Sequence, residues 1–263
     1  MNGSTDGDPR SIAGRVMVVT GAASGMGRAT ATLLARHGAR VSCWDLNGEA
    51  IEETARLATD AAGDAGEALA VVADVSDSDS VADAHLRTVA DLGRVDGLVN
   101  NAGISLPAAL DSPEWTAAWD RTMAVNLTGP ANVLRTCIED LCRNGDGRVV
   151  NIASTEGLGA TRYLSAYTTA KHGVIGFTRS AAMELAGRGV TVNCICPGPI
   201  HTGMTAIIPD DDKERFARRR VPMRRYGDPA EVAQMTMSLL LPANTYTTGA
   251  VLAVDGGLTV QNT

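Results

Sequence analysis

Short β-type runs alternate with longer helical patterns along almost the whole 263-residue chain, and no feature restricts its fold more. Strands are expected at 15–20, 40–45, 68–74, 96–100, 147–154, 190–196 and 249–254. The first six are nearly continuous in apolar residues, which is how strands covered on both faces read, so the sheet is expected to be parallel. Between them lie segments with a 3.6-residue apolar period, at 25–37, 81–92, 161–185 and 229–240, each long enough to cross over and return. The expected fold is α/β: a doubly wound, seven-stranded parallel sheet with helices on both faces. No linker, fixed-period repeat or low-complexity tract divides the chain. One domain is therefore expected over 13–263, after a flexible tail at 1–12. The one irregular insertion, 203–227, carries Pro209, an acidic run at 210–212 and a basic run at 218–220, and is a lid candidate.

Composition narrows the function classes. With 44% hydrophobic residues, 28 glycines and two phenylalanines, the core must be built from Val, Leu, Ala and Met. A net charge of -7 opposes sequence-independent attraction to nucleic acid or anionic lipid. The longest apolar stretches, such as 95–99 and 237–241, fall far short of the roughly 20 residues that cross a bilayer. Residues 1–10 are polar and lack an apolar h-region, so neither a secretory signal nor an anchor is expected. Cys43, Cys137, Cys142, Cys194 and Cys196 lack metal-site spacing and read as reduced, mostly buried thiols of a cytoplasmic protein with no metal. Cys194 and Cys196 share one side of a strand but lack the C-x-x-C turn of a redox pair.

Directly after the first strand comes Thr20-Gly21-Ala22-Ala23-Ser24-Gly25-Met26-Gly27, and a helical run follows. Glycines there permit positive φ and close approach of backbone to a pyrophosphate, while the free N–H groups of the helix offer an anion site. This order of strand, glycine turn and helix predicts a Rossmann-type dinucleotide cradle. Asp45 ends the second strand eighteen residues after Gly27, placed to accept hydrogen bonds from the adenosine ribose and to repel a 2′-phosphate. It also suits an ordinary helix cap for the segment beginning at Asn47. Ser24 occupies the slot where a base could pair with that phosphate, so NAD is expected and NADP is the less favoured cofactor. Asp74-Val75, ending the third strand, is in place for adenine or simply for a turn before Ser76.

Tyr167 and Lys171 are four residues apart in a helical segment, so they share a face. An unperturbed phenol ionises too high to be an efficient base at neutral pH. A lysine charge about 5 Å away, at an effective dielectric near 20, stabilises phenolate by roughly 3 kcal/mol, or about two pKa units. Ser154 ends the fifth strand at the carboxyl edge of the sheet, where folds of this kind bind ligands, and its hydroxyl can hold a substrate oxygen. Asn126, a polar residue in an apolar helical run, can link Lys171 to solvent through an ordered water.

With these residues in hand, the chain from about 14 to 257 resembles a classical short-chain dehydrogenase/reductase. Thr20, Gly21, Gly25 and Gly27 match its glycine motif, and Asn100-Asn101-Ala102-Gly103 its sheet-stabilising motif. Asn126, Ser154, Tyr167 and Lys171 match its catalytic tetrad, and Pro197-Gly198 with Thr202 its nicotinamide-side motif. The resemblance implies that Tyr167 exchanges a proton with the substrate oxygen while hydride moves to or from the nicotinamide. Ser154 would hold that oxygen, Lys171 would bind the nicotinamide ribose and lower the phenol, and Asn126 would maintain a proton relay. The cofactor contacts so implied are Gly21, Ser24, Gly25, Met26, Gly27, Asp45, Leu46, Asp74, Val75, Asn101, Ala102, Gly103, Tyr167, Lys171, Pro197, Gly198, Ile200 and Thr202. A homotetramer is implied as well.

The substrate side is chemically mixed. Glu156 and His201 suit polar groups, Leu158 and Met204 an apolar ring or chain, and Tyr163 stands among them. The arginines at 218–220, 224 and 225 suit an anionic substrate but read rather as a solvated helix face or a subunit contact. Trp115, Trp119 and Met123, spaced by four, read as a buried stripe or an interface. The leading expectation is an NAD-dependent secondary-alcohol dehydrogenase or ketone reductase for a small cyclic or hydrophobic substrate. An NADPH-dependent 3-oxoacyl carrier-protein reductase is the nearest rival, and a non-catalytic dinucleotide-binding sensor the rival from another class.

Overall fold

The computed structural model describes residues 8–261. Its first half runs β1 (Val16–Thr20), α1 (Gly25–Arg36), β2 (Arg40–Asp45), α2 (Gly48–Ala62), β3 (Glu67–Val72), α3 (Ser78–Leu92) and β4 (Gly97–Asn100). The second half runs α4 (Trp115–Met123), α5 (Gly129–Cys142), β5 (Arg148–Ile152), α6 (Ser165–Leu185), β6 (Thr191–Pro197), α7 (Asp210–Arg220), α8 (Pro229–Leu240) and β7 (Val251–Val254). The strands form one sheet in the order β3-β2-β1-β4-β5-β6-β7, and every pairing is parallel. After β3 the chain crosses back over the sheet, so β4 pairs with the other edge of β1 and a crevice opens at their carboxyl ends.

Alternation along the strands sorts the core. Met17 and Val19 point with Val41 and Val150 into one layer, against Leu34, Ile51 and Val232 from α1, α2 and α8. Val18 points the other way with Leu98 and Val192, against Val81, Leu134 and Leu185 from α3, α5 and α6. Both layers exclude water, which is why the central strands carry no polar alternation. The third strand departs from the expectation: it ends at Val72 rather than residue 74 and forms the sheet's edge, with Val72 62% exposed.

Residues 1–7 of the expected tail lie outside the described residues, but its last part is seated rather than loose. Ile12 is 1% exposed in the core and the Pro9 carbonyl accepts a hydrogen bond from Ala243 N at 2.7 Å. The lid candidate contains a short turn at Gly203–Thr205 and then α7, whose first turn holds Asp210–Asp212 and whose last holds Arg218–Arg220. That charge order complements the helix dipole, which accounts for both runs. The Trp115 and Trp119 rings stack 5.1 Å apart, half-buried, and Trp115 Nε1 donates to Ser165 Oγ at 3.0 Å, tying α4 to the start of α6. Among the described residues no helix is long and apolar enough to cross a membrane, and no group of His, Cys, Asp and Glu could hold a metal.

Candidate active site

The β1–β4 crevice is fixed by backbone that has no room for side chains. A Cβ on Gly21 would lie 2.7 Å from Ala102 Cα, and one on Gly27 would lie 2.1 Å from the Gly21 carbonyl oxygen. Gly21 and Gly25 take φ of +63° and +52°, a region that disfavours any residue with a Cβ. Across the crevice Asn101 Nδ2 donates to the Thr20 and Gly21 carbonyls at 2.9 and 3.1 Å, while Thr20 Oγ1 accepts from the N–H groups of Asn101 and Ala102. Ser24 caps α1 without a side-chain hydrogen bond to it, so the helix start offers its N–H groups to an anion.

A cavity of about 270 Å³ runs from this cradle along the sheet edge. At one end it is lined by Asp45, Leu46, Asp74 and Val75, and at the other by Tyr167 and Lys171, with Gly103 between and Thr202 and Met204 on the outer wall. The cradle, the free helix start and the run of lining residues from Asp45 to Lys171 fit a dinucleotide, with Ser24, Gly25 and Met26 between. Asp45 Oδ2 accepts from Ala23 N at 3.1 Å and Oδ1 from Asn47 N at 3.0 Å, so it braces both the cradle and the start of α2. Arg28 is turned toward α2: its Nε donates to Thr54 Oγ1 at 2.9 Å and its Nη2 to the Ala23 and Ala50 carbonyls.

Three elements bring the four reactive side chains together. Lys171 lies on the inner face of α6, 4% exposed, and its Nζ donates to the Ile152 carbonyl at the end of β5 at 2.9 Å. That ammonium stands 5.5 Å from the centre of the Tyr167 ring, as the four-residue spacing requires. Ser154 follows β5; its Oγ accepts from Glu156 N at 3.1 Å and its hydroxyl faces the Tyr167 phenol. Asn126 sits in a π-helical turn, Ala124–Thr128, between α4 and α5. Its Oδ1 accepts from Ile104 N and its Nδ2 donates to Ile104 O, both at 2.8 Å, so its amide first of all fixes the loop after β4. A Cβ on Gly103 would meet Asn126 Oδ1 at 3.3 Å and Lys171 Nζ at 3.6 Å, so both groups close around that glycine.

The electrostatics correct one expectation. Burial pushes the Tyr167 phenol up to about 12, with Glu156 adding in the same direction against the pull of the Ser154 hydroxyl. Burial likewise lowers Lys171 to about 8, against an opposite pull from Cys194 and Cys196 behind it. In the protein alone loss of water dominates, and the expected downward shift of the phenol is absent.

Other expected contacts are distributed unevenly. Gly27, Pro197, Gly198 and Ile200 do not line the cavity; they shape it. Gly198 packs on Asp255, where a Cβ would come within 2.8 Å, and Ile200 bridges to Gly227, which brings Thr202 to the outer wall. His201 does not join the cavity of Tyr167 and instead lines a neighbouring cleft with Arg28 and Lys213, its ring 5.2 Å from that of Tyr226. The carboxylate of Glu156 accepts from Thr161 Oγ1 at 2.6 Å and Thr168 Oγ1 at 2.9 Å, bracing the loop before α6 rather than standing free for a ligand. Leu158 and Tyr163 are exposed on that loop, Tyr163 with φ +69° and its carbonyl accepting from Ala108 N. Trp44 and Arg121 line the cavity without having been expected there. The five cysteines are free, and only Cys142 is not buried.

Known proteins are similar to this chain over nearly their full length. A family model for enoyl-(acyl carrier protein) reductase matches residues 21–259. The 3-oxoacyl-(acyl-carrier-protein) reductase of Thermotoga maritima is 38% identical over 249 residues, covering 95% of this chain and 99% of that one. The cis-4-hydroxycyclohexanecarboxylate dehydrogenase of Sinomonas cyclohexanicum is 42% identical over 248 residues, covering 94% and 98%. A solved structure from Beutenbergia cavernae, a candidate NAD(P)-dependent gluconate 5-dehydrogenase with NADP bound at low occupancy, superposes with a TM-score of 0.89 at 39% identity, covering 97% and 100%. Likeness of this extent, on a sheet of this topology, means that the chain belongs to the classical short-chain dehydrogenase/reductase family, oxidoreductases that act on alcohols and ketones with a nicotinamide dinucleotide.

Proposed function

We propose that the protein interconverts a secondary alcohol and a ketone, using NAD(H), on a small cyclic or otherwise hydrophobic substrate. The observation that carries this reading is one continuous cavity with Asp45 at one end and the Tyr167–Lys171 pair at the other. A bound nicotinamide dinucleotide supplies or accepts the hydride. In reduction Tyr167 gives its phenolic proton to the ketone oxygen, and in oxidation it takes the proton from the alcohol. Ser154 donates a hydrogen bond to the same oxygen and holds it in place. Lys171 binds the nicotinamide ribose and, with Asn126, returns protons to the phenol from solvent. Because burial keeps the phenol protonated well beyond neutral pH, the protein alone is set up as an acid, ready for reduction.

Cofactor choice follows from charge. The Asp45 carboxylate lines the cavity where a 2′-phosphate would lie, and Arg28 is engaged by Thr54 and two carbonyls. Both favour NAD. The second reading, an NADPH-dependent reductase of 3-oxoacyl carrier-protein type, draws on the near full-length likeness to the Thermotoga protein, and the same charge argument opposes it. The apolar Met204 on the cavity wall supports an apolar substrate. A homotetramer and a cytoplasmic location belong to the same reading. The test is a panel of cyclic and linear secondary alcohols and ketones, followed at the nicotinamide band with NAD and NADP in parallel. We expect kcat/KM with NAD to exceed that with NADP by at least about tenfold, and Asp45→Ala with Leu46→Arg to reverse the order. Preference for NADP in the unaltered protein overturns the cofactor assignment, and inactivity with all secondary alcohols and ketones overturns the reaction.

A further inference from the structure

The end of the cavity remote from Tyr167 contains a polar chain built from three separate parts of the sequence. Asp74, just past β3, accepts hydrogen bonds at Oδ1 from both the N–H and the hydroxyl of Ser76. Its own N–H donates to Ser80 Oγ at 3.0 Å. The Ser76 hydroxyl has one proton, given to Asp74, so it receives a hydrogen bond from Arg121 Nη1 at 2.9 Å. The other terminal nitrogen of Arg121 stands 3.6 Å from Asp74 Oδ2, nearer than bulk solvent charge but beyond a hydrogen bond. One carboxylate oxygen is thereby committed, while the other keeps its lone pairs, and Asp74 and Arg121 both line the cavity.

We propose that Arg121 is a positioning residue for the adenine of the dinucleotide: through Ser76 and directly, it orients Asp74 so that Oδ2 receives the exocyclic amino group of the base. The inference rests on the cofactor reading above and goes beyond it. An ionised carboxylate only accepts, so the ligand atom it meets must donate. Adenine presents an amino group there, whereas hypoxanthine presents an oxygen whose lone pairs would face those of the carboxylate. A site built around one hydrogen bond rejects the analogue that cannot make it, because its own polar group is left unpaired. Burial would raise the Asp74 carboxyl, but the Ser76 hydrogen bonds and the Arg121 guanidinium together hold it below its usual value, so it stays an acceptor. A plain surface ion pair would not need the serine relay, nor would it sit on the wall of the cavity.

The test is equilibrium binding of AMP, IMP and ADP-ribose to the full chain, measured by calorimetry without any turnover. In the unaltered protein AMP should bind at least about tenfold tighter than IMP. Arg121→Met should weaken AMP and bring the AMP:IMP ratio to within about twofold, and Arg121→Lys should recover part of the ratio. Ser76→Ala, which cuts the relay without removing a charge, should move the ratio in the same direction. If both Arg121→Met and Ser76→Ala weaken AMP and IMP alike and leave their ratio unchanged, Arg121 merely props α4 and the inference is overturned. A ratio near one in the unaltered protein, with ADP-ribose still bound, overturns this inference alone. Failure of ADP-ribose and NAD(P) to bind at all removes the cofactor reading with it.

Discussion

On the β1–β4 side of the cavity, backbone and buried polar groups interlock: Gly27 touches the Gly21 carbonyl, Asn101 is bonded to Thr20 and Gly21, and Asn126 is bonded to Ile104. On the opposite side Gly203 and Met204 line the cavity, and the rest of the 203–220 segment presents the 86%-exposed Ile207 and a charged helix, α7, whose arginine ion pairs lie at the surface. The first wall has one solution, because moving any part of it strands a buried donor or drives two backbones together. The second wall tolerates exchange. Under the proposed reading, the part assigned to the cofactor is specified by sterics, and the part assigned to the substrate is held by weak, solvent-screened contacts. Shared chemistry with varied substrates is what such a division permits.

The largest expected effect falls at the junction of the two walls. Tyr167→Phe removes the phenolic proton and should lower kcat by about 10³-fold, with NADH binding retained, as measured by steady-state rates and cofactor fluorescence. A loss under about tenfold would contradict proton transfer by this residue. Next comes the comparison of two glycines. Gly27→Ala places a Cβ against the Gly21 carbonyl and should cost about 3 kcal/mol in denaturant unfolding, together with dinucleotide affinity. Gly203→Ala, with nothing within 4 Å of its Cβ, should stay within about 0.5 kcal/mol. Equal costs at the two positions would erase the distinction between the walls. The smallest effect belongs to α7: replacing Arg218, Arg219 and Arg220 by Gln removes only charges at a solvated helix end. It should change stability by about 0.5 kcal/mol and kcat/KM for a neutral substrate by less than about threefold. A large loss there would make α7 a substrate-binding element.

What could be read from the chain follows the same division. The seven strands, the glycine cradle and the Tyr167–Lys171 spacing were legible, because each is a local pattern with a steric or periodic cause: apolar runs, positive φ, one helical turn. The third strand was read as covered because its residues are apolar, yet its place at the sheet edge is set by strand order, which no local pattern carries. Arg121 was missed since its partners, Ser76 and Asp74, lie 45 and 47 residues away and meet it only in the fold. His201 lies in the cleft next to that of Tyr167, while Thr202 lines both, because turn geometry that spacing does not carry decides which side of the segment each residue faces. The phenol was expected to be acidic on the strength of one charge at one distance. Its burial, supplied by the whole site, reverses the sign, and desolvation has no signature in spacing.

The central claim, that the half-buried Tyr167 phenol is the group that exchanges protons with substrate, is tested most directly by the pH dependence of the two directions of turnover. Reduction needs the phenol protonated, and burial raises it to about 12 in the protein alone, so the reductive rate should be level from pH 6 to 8. Oxidation needs phenolate, so kcat/KM for the alcohol should climb across pH 6 to 10, with a slope approaching one per pH unit at the lower end. A rise in the oxidative direction that disappears in the residual activity of Tyr167→Phe is the predicted result. An oxidative profile that is flat from pH 6 to 10 would contradict it.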